Sequence, residues 1–316
     1  MYEQYLRNKR RSLFMLRRDF LKGIALTAIT AGLLDRLPLG AAVKAGESVD
    51  LAAVKGRNVA EMFDKGVAAL GGMEKFVKKG QSVLVKPNIG WNTPPEKGAD
   101  TNPELVGHIV KRALECGASR VVVFDHTCDR DWNSCYKLSG IREAVEKAGG
   151  IMVTGNDRSM YRKVEIKGAK SMKSALVHPA LLEADVVINV PVLKNHGGAA
   201  MTCAMKNYMG VVWDRPWMHR NDLHQCIADS ILIRKPDLNV VDAMLVMTSG
   251  GPTGRSARTK SVKMNSLLLS KDIVAIDTAA ARMLGVDINA VKHLDCGEKL
   301  SLGHIDLTKL KIKRIV

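Results

Sequence analysis

The residues best suited to chemistry cluster between Val186 and Gly210, which reads V-V-I-N-V-P-V-L-K-N-H-G-G-A-A-M-T-C-A-M-K-N-Y-M-G. Lys194 and His196 stand just past an apolar run, with Thr202, Lys206 and Asn207 shortly after. A third lysine, Lys86, closes a second apolar run, Q-S-V-L-V-K, and Asn88 follows it. Three lysines gathered in one cleft repel one another unless an anion lies among them. Each charge-assisted hydrogen bond to such an anion contributes about 1.5–3 kcal/mol. The same grouping suits a different chemistry, in which burial lowers one lysine's pKa until it serves as a base or Schiff-base amine. Residue types alone leave both open. His196 supplies a general acid or base, with Thr202 and Asn207 as orienting groups.

These side chains need elements that carry them to one place. Val186–Val190 predicts a strand buried on both faces of a parallel sheet, ended by Pro191, which has no ladder donor. Gly197 and Gly198 then lead into a helix expected from about Ala199 to Tyr208. Met201, Met205 and Met209 recur at i, i+4 and i+8 as its apolar stripe. Thr202 pairs with Lys206, and Cys203 with Asn207, further round. Upstream, strands at Asp50–Val54, Gln81–Lys86 and Ser119–Asp125 alternate with helices at Val59–Leu70 and Pro103–Cys116, the second capped by Asn102. A helix over Leu138–Ala148, strands at Ile151–Val153 and Lys163–Ile166, and a helix over Val177–Ala184 lead back to the central strand. Beyond it come a helix over Leu223–Arg234 capped by Asn221, then strands at Leu238–Met247 and Leu267–Ser270. A helix over Ile273–Leu284 capped by Asp272 and a closing strand at Lys309–Ile315 complete the order.

This rhythm predicts an α/β fold, a mostly parallel sheet with helices on both faces of the doubly wound type. Ligands of such sheets bind outside the carboxyl ends of the strands, and Lys86 and Lys194 fall there. Nothing from Val43 to Val316 has the composition of a linker, so residues 43–316 read as a single domain.

V-P-V-L-K-N-H followed by T-C-A-M-K-N-Y-M-G resembles the central motif of the bacterial and archaeal family called domain of unknown function 362. That family's usual form is L-P-x-x-K-T-H, then T-x-x-x-K-N-x-x-G, and the resemblance runs from about Val83 to the C-terminus. It implies a fold and a site, and it implies no particular reaction. His224 resembles the family's downstream histidine, which implies a substrate ligand or proton donor. Gly251, Pro252 and Gly254 match the family form G-P-x-x-G, and glycines there would expose backbone N–H groups as an anion-binding nest. Many members resemble this chain with an added iron–sulfur ferredoxin segment, which is missing here. The six cysteines form no C-x-x-C pair, so no internal iron–sulfur cluster is expected. Cys128 and Cys135 flank a loop and could pair in an oxidising compartment. No histidine and acid pair has the spacing of a local metal motif, which leaves a metal undecided.

The N-terminus carries an address. Arg17-Arg18-Asp19-Phe20-Leu21-Lys22 matches the twin-arginine export pattern R-R-x-F-L-K. The mildly apolar run Gly23–Leu34 and the small residues Gly40-Ala41-Ala42 complete a signal peptide over residues 1–42. That run is too short for a permanent membrane span, and no other stretch reaches the ~20 apolar residues required. The expected partners are the twin-arginine translocation machinery and a small anionic ligand, and the expected place is the periplasm or another extracytoplasmic compartment. The whole chain carries a formal +16, and the residues after 42 keep +11. Such an excess favours anionic ligands or a membrane surface. Aromatics at 4% and the lack of any run of five basic residues argue against nucleic acid. Three functions fit: an exported enzyme of unassigned reaction acting on a carboxylate- or phosphate-bearing substrate, a binding or cofactor-delivery protein, and an accessory partner of an iron–sulfur redox enzyme.

Overall fold

The computed structural model describes residue 47 and residues 49–316, so the signal segment predicted over 1–42 lies outside the described residues. In chain order the elements begin with β1 (Leu51–Lys55), α1 (Val59–Ala69), β2 (Ser82–Pro87), α2 (Pro103–Glu115), β3 (Arg120–Val123), α3 (Trp132–Leu138), α4 (Ile141–Lys147) and β4 (Ile151–Met152). Then come β5 (Arg162–Glu165), β6 (Ser174–Val177), α5 (Pro179–Glu183), β7 (Val186–Val190), β8 (Val192–His196), β9 (Ala200–Thr202) and α6 (Ala204–Asn207). The rest are α7 (Arg215–Arg220), α8 (Leu223–Ile231), β10 (Leu238–Ser249), β11 (Lys260–Ser270), α9 (Ile273–Leu284), α10 (His293–Lys299) and β12 (Ile312–Ile315).

The main sheet runs β12-β1-β11-β10-β7-β2-β3-β4. Along that path the pairs are parallel except where β11 runs antiparallel between β1 and β10, and off it β8 lies parallel to β10 and antiparallel to β9. The chain is therefore an α/β protein with a mostly parallel, mixed sheet. Two apolar cores lie on opposite faces. One gathers Val83, Val85, Val186 and Ile188 with α1, α2 and α4, and the other gathers Leu84 and Val187 with Met205 of α6 and residues of α8 and α9. Alternation along β2 and β7 sends neighbouring residues to opposite sides, which is why both strands read as continuous apolar runs.

Local signals act where expected. Asn102 accepts from the Leu105 N–H ahead of Pro103, and Asp272 accepts from Val274 and Ala275, so α2 and α9 start at their predicted caps. Four predicted helices change. The 138–148 helix shortens to α4 because Gly140 precedes it with φ 72°, and Leu138 instead ends α3, a helix that was not expected. Residues 174–177 form β6, paired with β5 in a separate two-stranded sheet, so only Pro179–Glu183 of the 177–184 helix is helical. The cap of α8 is Asp222, which accepts from Gln225, and not Asn221. The largest correction falls on the central stretch. Gly197 and Gly198 turn a hairpin between β8 and β9, which pair antiparallel, and the helix expected from Ala199 shrinks to Ala204–Asn207. Ala200 has φ 63°, which a right-handed helix cannot pass through.

Candidate active site

A polar row crosses the sheet beneath α6. Register places Lys86 opposite Asn189 and Asn189 opposite Asn239. Asn189 donates to Asn239 Oδ1 (3.0 Å) and to the Ala204 carbonyl (3.0 Å), and Asn207 donates to Asn189 Oδ1 (2.8 Å). The other end of this short helix is held by Asp277 of α9, whose carboxylate accepts from the N–H groups of Ala204 (2.7 Å) and Met205 (3.0 Å). Those donors are orphaned at any helix start, and a carboxylate there also meets the positive end of the helix. Four residues are too few for an autonomous helix. Its position therefore comes from Asn189 and Asp277. Sequence reading gave Asp277 no role, and a lone acid inside a helix carries no local signal.

The three lysines meet different fates. Lys86 is fully buried and forms an ion pair with Asp125 at 2.7 Å, and it also donates to the Pro87 carbonyl (2.7 Å). Burial pulls its pKa down and the Asp125 carboxylate opposes that pull. Gly210 lies against this pair: a Cβ there would fall 2.0 Å from Asp125 Oδ1 and 2.8 Å from Lys86 Nζ, so only glycine lets the backbone pass. Lys194 is buried and donates to Asn88 Oδ1 (2.9 Å) and to the Ala99 carbonyl. Burial lowers its pKa too, and Asp100 beside it acts in the opposite direction. The Lys206 side chain has no hydrogen-bond or ion-pair partner among the described residues. Burial brings its pKa down to about 8, with Lys194 and Arg215 pushing the same way.

Lys194 and Lys206 line one cavity of about 570 Å³ together with His196, Thr202, Asn207 and Asn88. Lys86 does not reach it, lying behind Asp125, which does. Arg215, Arg220, His219 and Cys128 also line the cavity walls, and the sequence reading gave none of them a place in the anion cleft. The first three share α7, which Asp214 caps by accepting from Trp217 (3.1 Å) ahead of Pro216. A capped R-P-W-M-H-R segment was legible as a short basic helix, though not its direction. Arg215 is engaged with the carbonyls of His126 (2.7 Å) and Thr127 (2.5 Å) and with Cys128 Sγ (3.3 Å). Arg220 is exposed and has no side-chain partner among the described residues. Trp91, Met209, Pro216 and Pro252 supply the apolar part of the wall.

His196 is held as a neutral ring. Its Nδ1 faces the N–H groups of Gly198 (3.1 Å) and Ala199 (3.2 Å), which can only donate, so the ring hydrogen sits on Nε2. Burial, followed by Lys206, His219 and Lys194, drives its pKa to about 3. A neutral Nε2–H can give a hydrogen bond to an anion. It is not a reservoir of protons at pH 7.

Other expected members stand elsewhere. His224 faces His293, Nδ1 to Nδ1 at 3.3 Å, and does not line the cavity. Gly251 packs against the Asn195 carbonyl, where a Cβ would come within 2.1 Å, and Gly254 packs against Lys97 and Ala99. The turn between β10 and β11 thus offers Pro252 to the cavity and no nest of N–H groups. Cys128 and Cys135 are separate thiols, the first exposed and the second buried. Among the described residues no group of three or more His, Cys, Asp or Glu is placed to hold a metal ion, and no helix is long and apolar enough to cross a membrane.

The chain belongs to the family described as Domain of unknown function (DUF362), whose profile matches residues 83–282. A thylakoid-associated protein of Synechocystis sp. is 27% identical over 252 residues, covering 74% of this chain and 72% of that protein. Among solved structures, the lactate racemase apoprotein from Thermoanaerobacterium thermosaccharolyticum is similar with a TM-score of 0.43 and 10% identity over 72% of this chain. A protein from Thermotoga maritima gives 0.39 and 11% over 76%. The match spans 58% of the length of each of those two solved chains.

Proposed function

We propose that this protein is an exported enzyme that takes a small carboxylate- or phosphate-bearing molecule into the cavity between α6, α7 and the end of β8. One observation carries the reading: Lys194, Lys206, Arg215 and Arg220 line a space in which Asp125, the sole carboxylate among the described lining residues, is already committed to Lys86. An anion entering it meets Lys206, Arg220, the Nε2–H of His196 and the hydroxyl of Thr202 with their donors unspent. Electrostatic preference of this kind supports binding by a carrier as well as an enzyme. The unpaired lysine favours an enzyme, because a carrier gains nothing from keeping a strained cation between visits of its ligand.

Oxalate, phosphate and short dicarboxylates at millimolar concentration are expected to raise the melting temperature. Binding confined to the native state stabilises by RT ln(1 + [L]/Kd), about 2.7 kcal/mol at a hundredfold excess over Kd. Arg220→Ala and Lys206→Ala should each shrink that rise. A panel that moves neither the wild type nor the variants, or moves all three equally, rules out anion capture by these groups.

Residues 1–42 we read as a twin-arginine signal, leaving 43–316 as one α/β domain outside the cytoplasm. The thylakoid association of the Synechocystis relative supports a place at or beyond a membrane. Replacing Arg17 and Arg18 with lysine should leave an uncleaved precursor in the cytoplasm, visible by fractionation and immunoblot. Undiminished export of that double variant would remove the address.

A further inference from the structure

We propose that Lys206 is an imine-forming amine and that its substrate is a 2-oxo carboxylate, with the carbonyl carbon going to Lys206 Nζ and the carboxylate to the basic wall. The proposal rests on the anion-binding reading of the same cavity and adds to it a reaction and a substrate class. Lys86, Lys194 and Lys206 were the candidates for a free amine, and geometry separates them. Lys86 is tied to Asp125 and Lys194 to Asn88 and the Ala99 carbonyl, so both ammonium groups have acceptors. Lys206 alone of the three has no side-chain acceptor among the described residues; Lys194 and Arg215 nearby are cations that add to the effect of burial, and Cys128 acts in the opposite direction. Desolvation beside other cations lowers a lysine's pKa and so makes its neutral, nucleophilic form more accessible. With its pKa near 8, Lys206 at pH 7 is uncharged far more often than a surface lysine.

A neutral amine could equally act as a base. A base, however, needs a fixed direction toward the proton it removes, and no acceptor or donor fixes this one. An imine needs no such partner, because the covalent bond itself sets the geometry. Arg220, Thr202 and the Nε2–H of His196 remain as donors for a carboxylate, while Trp91, Met209 and Pro252 leave apolar room for a short side chain. The amine lone pair adds to the carbonyl carbon and an N–H proton passes to the oxygen, giving a carbinolamine. That oxygen takes a second proton from water at the cavity mouth and leaves as water, giving the protonated imine. No oxidant or reductant is consumed.

The test is reductive trapping on the folded protein. Glyoxylate, pyruvate and 2-oxoglutarate are each supplied with cyanoborohydride at pH 7, and the modified lysines are located by peptide mass spectrometry. Hydride reduces an imine to a stable secondary amine. At least one acid should mark Lys206 about tenfold faster than the average exposed lysine, and oxalate should slow that reaction. Lys206→Arg should lose the adduct while keeping some thermal stabilisation by oxalate. If Lys206 is marked no faster than exposed lysines by all three acids, the amine is not the nucleophile and the imine is wrong. Survival of the oxalate shift in that experiment confines the failure to the imine, whereas its absence takes the anion reading down too. Fast marking that oxalate does not slow overturns the carboxylate half of the assignment.

Discussion

Asp125→Ala unfolds about 3–5 kcal/mol more easily than the wild type in denaturant, the loss characteristic of removing one partner from a buried ion pair. Lys86 is fully buried, its ammonium lies 2.7 Å from Asp125, and among the described residues no other carboxylate is bonded to it. The same substitution releases the Ile89 N–H, which donates to Asp125 at 2.7 Å and anchors the loop after β2. Removing both charges, as in Asp125→Asn with Lys86→Met, should recover much of the loss, since no buried charge is then left uncompensated. The measurement is a urea titration with the slope checked for constancy. A single variant within about 1 kcal/mol of wild type would show that Lys86 sheds its proton without cost, and the ion pair would then contribute little.

Met205 and Lys206 are neighbours that should respond in opposite ways. Met205 is wholly buried, with its methyl group near Gly297, so Met205→Ala is expected to cost about 2–5 kcal/mol through lost burial and the cavity left behind. Lys206→Ala removes a cation whose side chain has no partner among the described residues and stands near Lys194 and Arg215, and stability should stay level or rise. Ligand affinity should fall sharply in the second variant. His196→Ala is expected to follow Lys206→Ala. Denaturant unfolding of the three, together with the oxalate shift, decides the matter. Lys206→Ala and His196→Ala unfolding as readily as Met205→Ala, with binding intact, would make this stretch architecture alone.

What local chemistry controls, the sequence reveals. Pro191 closes β7, Asn102 and Asp272 cap their helices, and the alternating faces of β2 and β7 follow from apolar runs that no solvent-facing strand would tolerate. Lys194, His196, Thr202, Lys206 and Asn207 do share one region, five of the residues singled out by type and spacing. Lys206 and Asn207 are helical as expected, whereas Thr202, expected on the same helix, ends β9. Met201, Met205 and Met209 are all buried, yet Met201 sits on β9, where burial comes from strand pairing and not from a helical stripe. A short apolar run fits either period, and only the hairpin's pairing to β10 decides between them.

Which lysine is free is a question the sequence cannot answer. Lys86 finds Asp125 because β2 lies beside β3, and Lys194 finds Asn88 and the Ala99 carbonyl because β8 passes beside the loop after β2. Asp277 reaches the start of α6 from a helix far along the chain. Arg215 and Arg220 join the cavity only once α7 folds over its mouth. Caps, turns and alternation are settled by energies within a few residues of backbone, so they are written locally. The partner of a buried charge is settled by which strands become neighbours, and that depends on the burial of both sheet faces at once.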